Sequence, residues 1–243
     1  MKPNYRTFFA LTREPFSSDL APKKIMETAE VLGVAKHFEY AIRLGALALV
    51  TGDVGSGKST ALRWVASRLP PPPSGVIRSS GSPPYRALSW TSYRQICVEL
   101  EVNTASFSRS VLTKLIRKQA LKIAQDRNKK KPALIIDEAS LLRLQVMAEL
   151  HTITPFQGNS KPILPIILAS QNNLADLLIY RTSLPLASRV VASSHLAGAS
   201  LQDMQAYLLR HLKVAGVKQK LFPDPAVTAM QQGFDASSEG PTT

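Results

Sequence analysis

Acidic residues are scarce in this chain of 243 residues: seventeen aspartates and glutamates face thirty lysines and arginines, a net charge of +13. A single cysteine, Cys97, excludes an internal disulfide and a cysteine-based zinc framework, and suits a reducing compartment. Aromatic residues are only 7% of the chain, and none alternate with basic residues as a base-stacking surface would require. No apolar run approaches the roughly 20 residues that a membrane-spanning helix needs. The first residues, Met1–Arg6, lack the apolar core of a signal peptide. These absences lead to the expectation of a cytoplasmic globular chain, long enough for one α/β domain with a small appendage.

What the chain does contain is a glycine-rich loop in the right setting. Residues Gly52, Asp53, Val54, Gly55, Ser56, Gly57, Lys58, Ser59 and Thr60 contain the pattern G-x-x-x-x-G-K-[ST]. An apolar run of strand length, Ala46–Val50, precedes the loop, and residues 61–69 have helical spacing up to a run of prolines. Strand, loop and helix together favour phosphate binding, because glycines let backbone N–H groups turn onto phosphate oxygens at a helix N-terminus. Lys58 is placed to reach the β- and γ-phosphates of ATP, and the Ser59 hydroxyl to ligate Mg²⁺. A second motif, Ala133–Glu138, is an apolar strand ending in two carboxylates. A buried parallel strand delivers its last residues to the ligand edge of a sheet. Asp137 is therefore the candidate metal partner of Ser59, and Glu138 the candidate base for an attacking water.

Charge is concentrated between Val54 and Ile136, where fifteen basic residues face Glu99, Glu101 and Asp126. One nucleotide accounts for little of that surplus. A polyanion accounts for it better, and nucleic acid contacted through its phosphates is the expected partner. Elsewhere, residues 1–23 form an aromatic, proline-marked lead-in, and a helix is expected over 24–44 with Gly45 as its cap. Strands are expected near 75–79, 163–169 and 190–196, and helices near 88–100, 110–127 and 141–152. The strand at 163–169 leads into Ser170, Gln171 and Asn172, of which Gln171 is the preferred γ-phosphate or water contact. Ser200 and Asp203 have capping-box spacing before a helix that stops near Gly216, a shorter helix is expected over 224–232, and residues 233–243 read as a frayed tail.

Together these residues resemble the AAA+ ATPases, in particular the ExeA/GspA type. The lead-in Phe9, Leu11, Pro15 and Phe16, the loop Thr51–Thr60, the triplet Asp137, Glu138 and Ala139, and the strand end Leu168–Gln171 carry the likeness over about residues 8–232. The resemblance implies a parallel five-stranded P-loop sheet flanked by helices, with one strand between those bearing the loop and the acids. It divides the chain into a lead-in (1–23), a nucleotide-binding core (24–198), a short helical lid (199–232) and the tail (233–243). It also implies ATP hydrolysis, a homo-oligomer, and an arginine completing the neighbouring subunit's site; Arg189 stands at the matching position, with Arg181 as the alternative. Members continue into a Gly-x-x-Arg segment, whereas here Gly233 precedes Phe234, Asp235 and Ala236, so hydrolysis is expected to be less efficient. Relatives of the MuB, TnsC and IstB kind regulate transposases on DNA, and with no membrane segment evident that setting is expected over secretion. A nucleotide-binding scaffold with little hydrolysis is the third reading.

Overall fold

The computed structural model describes residues 5–17, 20–68, 76–80, 89–125, 132–153, 156–157, 161–217 and 221–238. The chain divides into two compact units, one of residues Ala29–Leu196 and one combining Met1–Thr28 with Ala197–Thr243.

The larger unit is built on a parallel sheet of β1 (Leu47–Gly52), β2 (Val76–Ser80), β3 (Ala133–Asp137), β4 (Ile166–Ser170) and β5 (Val190–Leu196), in the order β2-β3-β4-β1-β5. This is the expected five-stranded P-loop arrangement, with β4 between the loop strand and the acidic strand. Sheet position explains composition. All residues of β1 and β4 are buried, so both read as unbroken apolar runs, whereas edge strand β5 alternates and buries only Ser194 and Leu196. Register aligns the strand ends: Thr51 pairs with Ser170, and Ser80 with Asp137. The tips of β1, β3 and β4 thus reach one edge together.

Helices cover the sheet by burying one face each. The helix Ala29–Leu44 buries Val31, Val34, Phe38 and Ala41, and Arg109–Gln125 buries Leu112, Ile116, Ala120 and Ile123. Ile96, Leu112, Ile116, Met147 and Leu150 join Leu134, Ile136, Ile166 and Leu168 in the main core. Cys97 lies in that core on the helix Ser89–Glu99, where burial pushes its thiol up to about 11. Gly45 ends the first helix at φ 71°, with Gly45 N–H donating to Ile42 O and Ala46 N–H to Ala41 O. These bonds form the glycine-terminated motif that satisfies the last helical carbonyls.

Two details of the sheet region depart from the expected segments. The strand expected from Ile163 begins instead at Ile166, because Pro165 lacks an N–H; its carbonyl accepts from Leu134 N–H. Residues Lys161–Pro162 pair with Phe156–Gln157 in a small antiparallel ribbon that the pattern did not suggest.

In the smaller unit, Ser200 and Asp203 close a capping box on the helix Leu201–Val214. The following helix, Asp224–Ser238, outruns the expected end at 232, so part of the anticipated frayed tail is helical and residues 239–243 lie outside the described residues. The lead-in packs within this unit. Thr12 N–H donates to Ala215 O, the Arg210 guanidinium donates to Lys24 O and Ile25 O, and Phe16 stacks on His211 and Tyr207.

Candidate nucleotide-binding site

The loop opens where β1 ends, and its first glycine is sterically required. Gly52 has φ 156°, and a Cβ there would lie 2.5 Å from Leu196 O and 2.6 Å from Ser56 Oγ. The helix Lys58–Arg68 starts inside the motif, and its first intrahelical donor is Ala61 N–H, to Gly57 O. The N–H groups of Lys58, Ser59 and Thr60 therefore lack helical acceptors and suit an anion. Asp53, Val54, Gly55, Gly57, Ser59 and Thr60 are exposed around this opening, while Ser56 Oγ is buried without a partner among the described residues. An orphaned hydroxyl in a glycine cradle fits a phosphate-bearing ligand.

Lys58 Nζ donates to the carbonyls of Gly52 (2.8 Å) and Asp53 (2.6 Å), which holds the ammonium over the loop. Burial draws its pKa below the usual lysine value, with Asp137 and Asp53 opposing that shift. A phosphate here would favour the charged form further. Ser59 Oγ donates to Asp137 Oδ2 at 2.7 Å. That contact joins the loop to the acidic strand, residues 78 positions apart. A hydroxyl beside a single carboxylate fits magnesium, which prefers oxygen ligands and takes most of them from water and phosphate.

Glu138 directly follows Asp137 in a left-handed conformation, φ 54° and ψ 39°, with its N–H donating to Asp137 Oδ1 at 2.9 Å. A short 3₁₀ turn, Ala139–Leu141, comes next and is tied to the tip of β4: Ser140 N–H donates to Ser170 Oγ at 3.1 Å. The chain reversal thus holds the second acid at the sheet edge while the next helix, Leu144–Ile153, starts later than position 141. Gln171 is exposed just past β4, and its carbonyl accepts from Leu174 N–H. The direct side-chain contact to the loop comes from its neighbour: Asn172 Nδ2 donates to Asp53 Oδ1 at 2.8 Å. Gln171 and Asn172 thus both stand exposed beyond the tip of β4, and Asn172 is the one tied to the loop by a side-chain bond.

Arg189 lies far from its own loop. Its carbonyl accepts from Leu47 N–H at the start of β1, so about 17 Å of strand separates it from Gly52. Its guanidinium, half-buried, donates to His151 O at 2.9 Å, and burial lowers its pKa. Arg181 is exposed on the turn Arg181–Ser183. Of the clustered basic residues, Arg86, Arg127, Lys129, Lys130 and Lys131 lie outside the described residues.

A glycine cradle, an acid pair and a polar strand tip at one parallel-sheet edge agree with the comparison to known proteins, in which residues 42–178 match the family described as AAA domain. The chain belongs to that family. The glycine loop that ends β1 is therefore the candidate nucleotide site of this AAA domain. The chain is 29% identical over 230 residues to General secretion pathway protein A of Aeromonas hydrophila, covering 94% of this chain and 41% of that protein. Among solved structures, the Aeropyrum pernix ORC1 protein in complex with DNA has TM-score 0.66 at 14% identity, over 90% of this chain and 58% of that one. Cdc6p from Pyrobaculum aerophilum has TM-score 0.61 at 12% identity, over 91% and 56%. The AAA protein described here therefore spans less than two thirds of each of these relatives. No described helix is long and apolar enough to cross a membrane.

Proposed function

We propose that the chain hydrolyses ATP and uses the nucleotide as a switch for assembly on duplex DNA, where it regulates a transposase or a related DNA transaction. The observation that carries the hydrolytic part is the Ser59–Asp137 hydrogen bond, because it brings the loop and the acid pair into one site. Lys58 and the loop N–H groups bind the β- and γ-phosphates. Ser59 and Asp137 would hold magnesium, which would supply positive charge against the charge developing on the phosphate oxygens. Glu138 accepts a proton from the water that attacks the γ-phosphorus; the bond to the bridging oxygen breaks, and ADP and phosphate leave. Gln171 and Asn172 orient the water or the γ-phosphate from the tip of β4. Arg189, with Arg181 as the alternative, acts on a neighbouring copy's phosphate in a homo-oligomer.

Support for the DNA part comes from the net charge of +13 and from the shared fold with an ORC1 protein solved in complex with DNA. The likeness to General secretion pathway protein A favours a second reading, a secretion ATPase of the ExeA type. Duplex DNA added to a steady-state ATPase assay separates them: acceleration supports the first, and no response over a range of salt supports the second. For the nucleotide site itself, Lys58→Ala is expected to weaken ATP binding by about a hundredfold or more, read by calorimetry with magnesium present. Failure of the unsubstituted chain to bind ATP would overturn the whole reading.

A further inference from the structure

We infer that the outward arc of the helix Arg109–Gln125 is the surface that takes the phosphate backbone of duplex DNA. This rests on the DNA reading above and names the face responsible. The helix carries Arg109, Lys114, Arg117, Lys118 and Lys122 and no acid. Leu112, Ile116, Ala120 and Ile123 turn one side into the core, which leaves Lys114, Arg117, Lys118 and Lys122 exposed on the other. They line a broad groove of about 1230 Å³ against the helix Leu144–Ile153, beside Gln125 and Thr152. That is far more room than a single phosphate needs.

Among the described residues, local neutralisation is nearly absent. Glu149 is engaged by Arg109, whose guanidinium donates to both of its oxygens at 2.7 and 2.9 Å. Arg117 is anchored through Nε to Thr152 O. Lys114, Lys118 and Lys122 have no ion-pair partner among the described residues. Like charges four residues apart repel, and a helix face that merely meets solvent mixes both signs at that spacing. The helix dipole favours a cation in the last turn, which covers Lys122 and leaves Lys114 and Lys118 unexplained.

Dimensions suit a nucleic acid backbone. Lys114 to Lys122 spans about 12 Å of helix axis, and one strand of duplex DNA places a phosphate about every 3.4 Å along its axis. Three or four phosphates therefore meet the four exposed cations. An anionic membrane fits less well, since a helix lying in a lipid interface needs large apolar groups beside its cations. Val111 is the one large apolar side chain exposed on this helix. Lysines act as point charges, so the contact reads backbone and not base sequence.

The test uses the full chain with Mg-ATP and a fluorescent duplex, titrated at several salt concentrations. Joint replacement Lys114→Ala, Lys118→Ala and Lys122→Ala is expected to weaken binding about thirtyfold near 0.1 M salt and to flatten the log K against log salt slope by about 3. A control with the same charge loss elsewhere, Lys23→Ala, Lys36→Ala and Lys213→Ala, is expected to change both far less. Arginine at positions 114, 118 and 122 should preserve binding, and all variants should bind ATP as the unsubstituted chain does. Equal losses in the two alanine triples, or an unchanged slope in the first, would overturn the assignment of this face while leaving the DNA reading intact. Absence of duplex binding by the unsubstituted chain would instead remove the DNA reading. Capture by phosphatidylserine vesicles but not by duplex, lost in the first triple, would replace DNA with a lipid surface as the occupant.

Discussion

Glu138 is held in a left-handed backbone conformation that costs a non-glycine residue on the order of 1–3 kcal/mol. Ordinary turn chemistry would choose asparagine or glycine there. The strain places a carboxylate next to Asp137 at the sheet edge, with the Ser140–Ser170 hydrogen bond securing the turn behind it. In Glu138→Gln the shape is kept and the base is lost. ATP should still bind, while single-turnover hydrolysis slows by about 10²–10⁴-fold. An unchanged rate would move the base to another group.

At the scale of the element, Gly45 and His211 give separate tests. A Cβ at Gly45 would sit 1.9 Å from Pro162 O, which is backbone and cannot swing aside, and the φ of 71° disfavours alanine in any case. Gly45→Ala should therefore lower unfolding stability by on the order of 3 kcal/mol, measured by urea denaturation. Tolerance of alanine would mean that the approach of residue 162 to this helix end is looser than described. His211 is buried against the rings of Phe16 and Tyr207, which also pack on each other. Burial first, then Arg210, lowers its pKa below the ordinary value of 6.5. The folded form thus favours the neutral ring. Its stability contribution is complete above about pH 6.5 and declines as pH falls toward the depressed folded value. Thermal unfolding should weaken from pH 7 to pH 5 more in the unsubstituted chain than in His211→Phe, and parallel pH profiles would count against the stack as the source.

For the whole molecule, the parallel sheet sets who can act on whom. Strand ends carrying Gly52, Asp137 and Ser170 meet at one edge, whereas Arg189 pairs with Leu47 at the other. An arginine at that distance reaches a phosphate only across a head-to-tail contact between copies. Mixing Glu138→Gln with Arg189→Ala, each inactive alone, should therefore recover about a quarter of the unsubstituted ATPase rate, since random pairing yields one intact interface in four. Thermal unfolding of Arg189→Ala should be followed alongside, because its guanidinium also holds His151 O. No recovery with Arg189→Ala, together with recovery when Arg181→Ala takes its place, would transfer the role to Arg181.

The amino-acid order alone determined the glycine loop, the two acids, the five strands and the capping box at Ser200 and Asp203, because each rests on local patterning within a few residues. Buried strands announce themselves as apolar runs, and a loop that must approach phosphate announces itself by its glycines. Only the tertiary structure decided that Asn172 turns onto Asp53, that Phe16 stacks on His211, and that the uncompensated lysines of the helix Arg109–Gln125 share one groove. Those relations depend on which side chains converge after distant segments pack. The start of β4 after Pro165 and the extension of the last helix to Ser238 were hidden for a related reason: backbone hydrogen bonding and packing shift element ends by a few residues where side-chain patterns are weak.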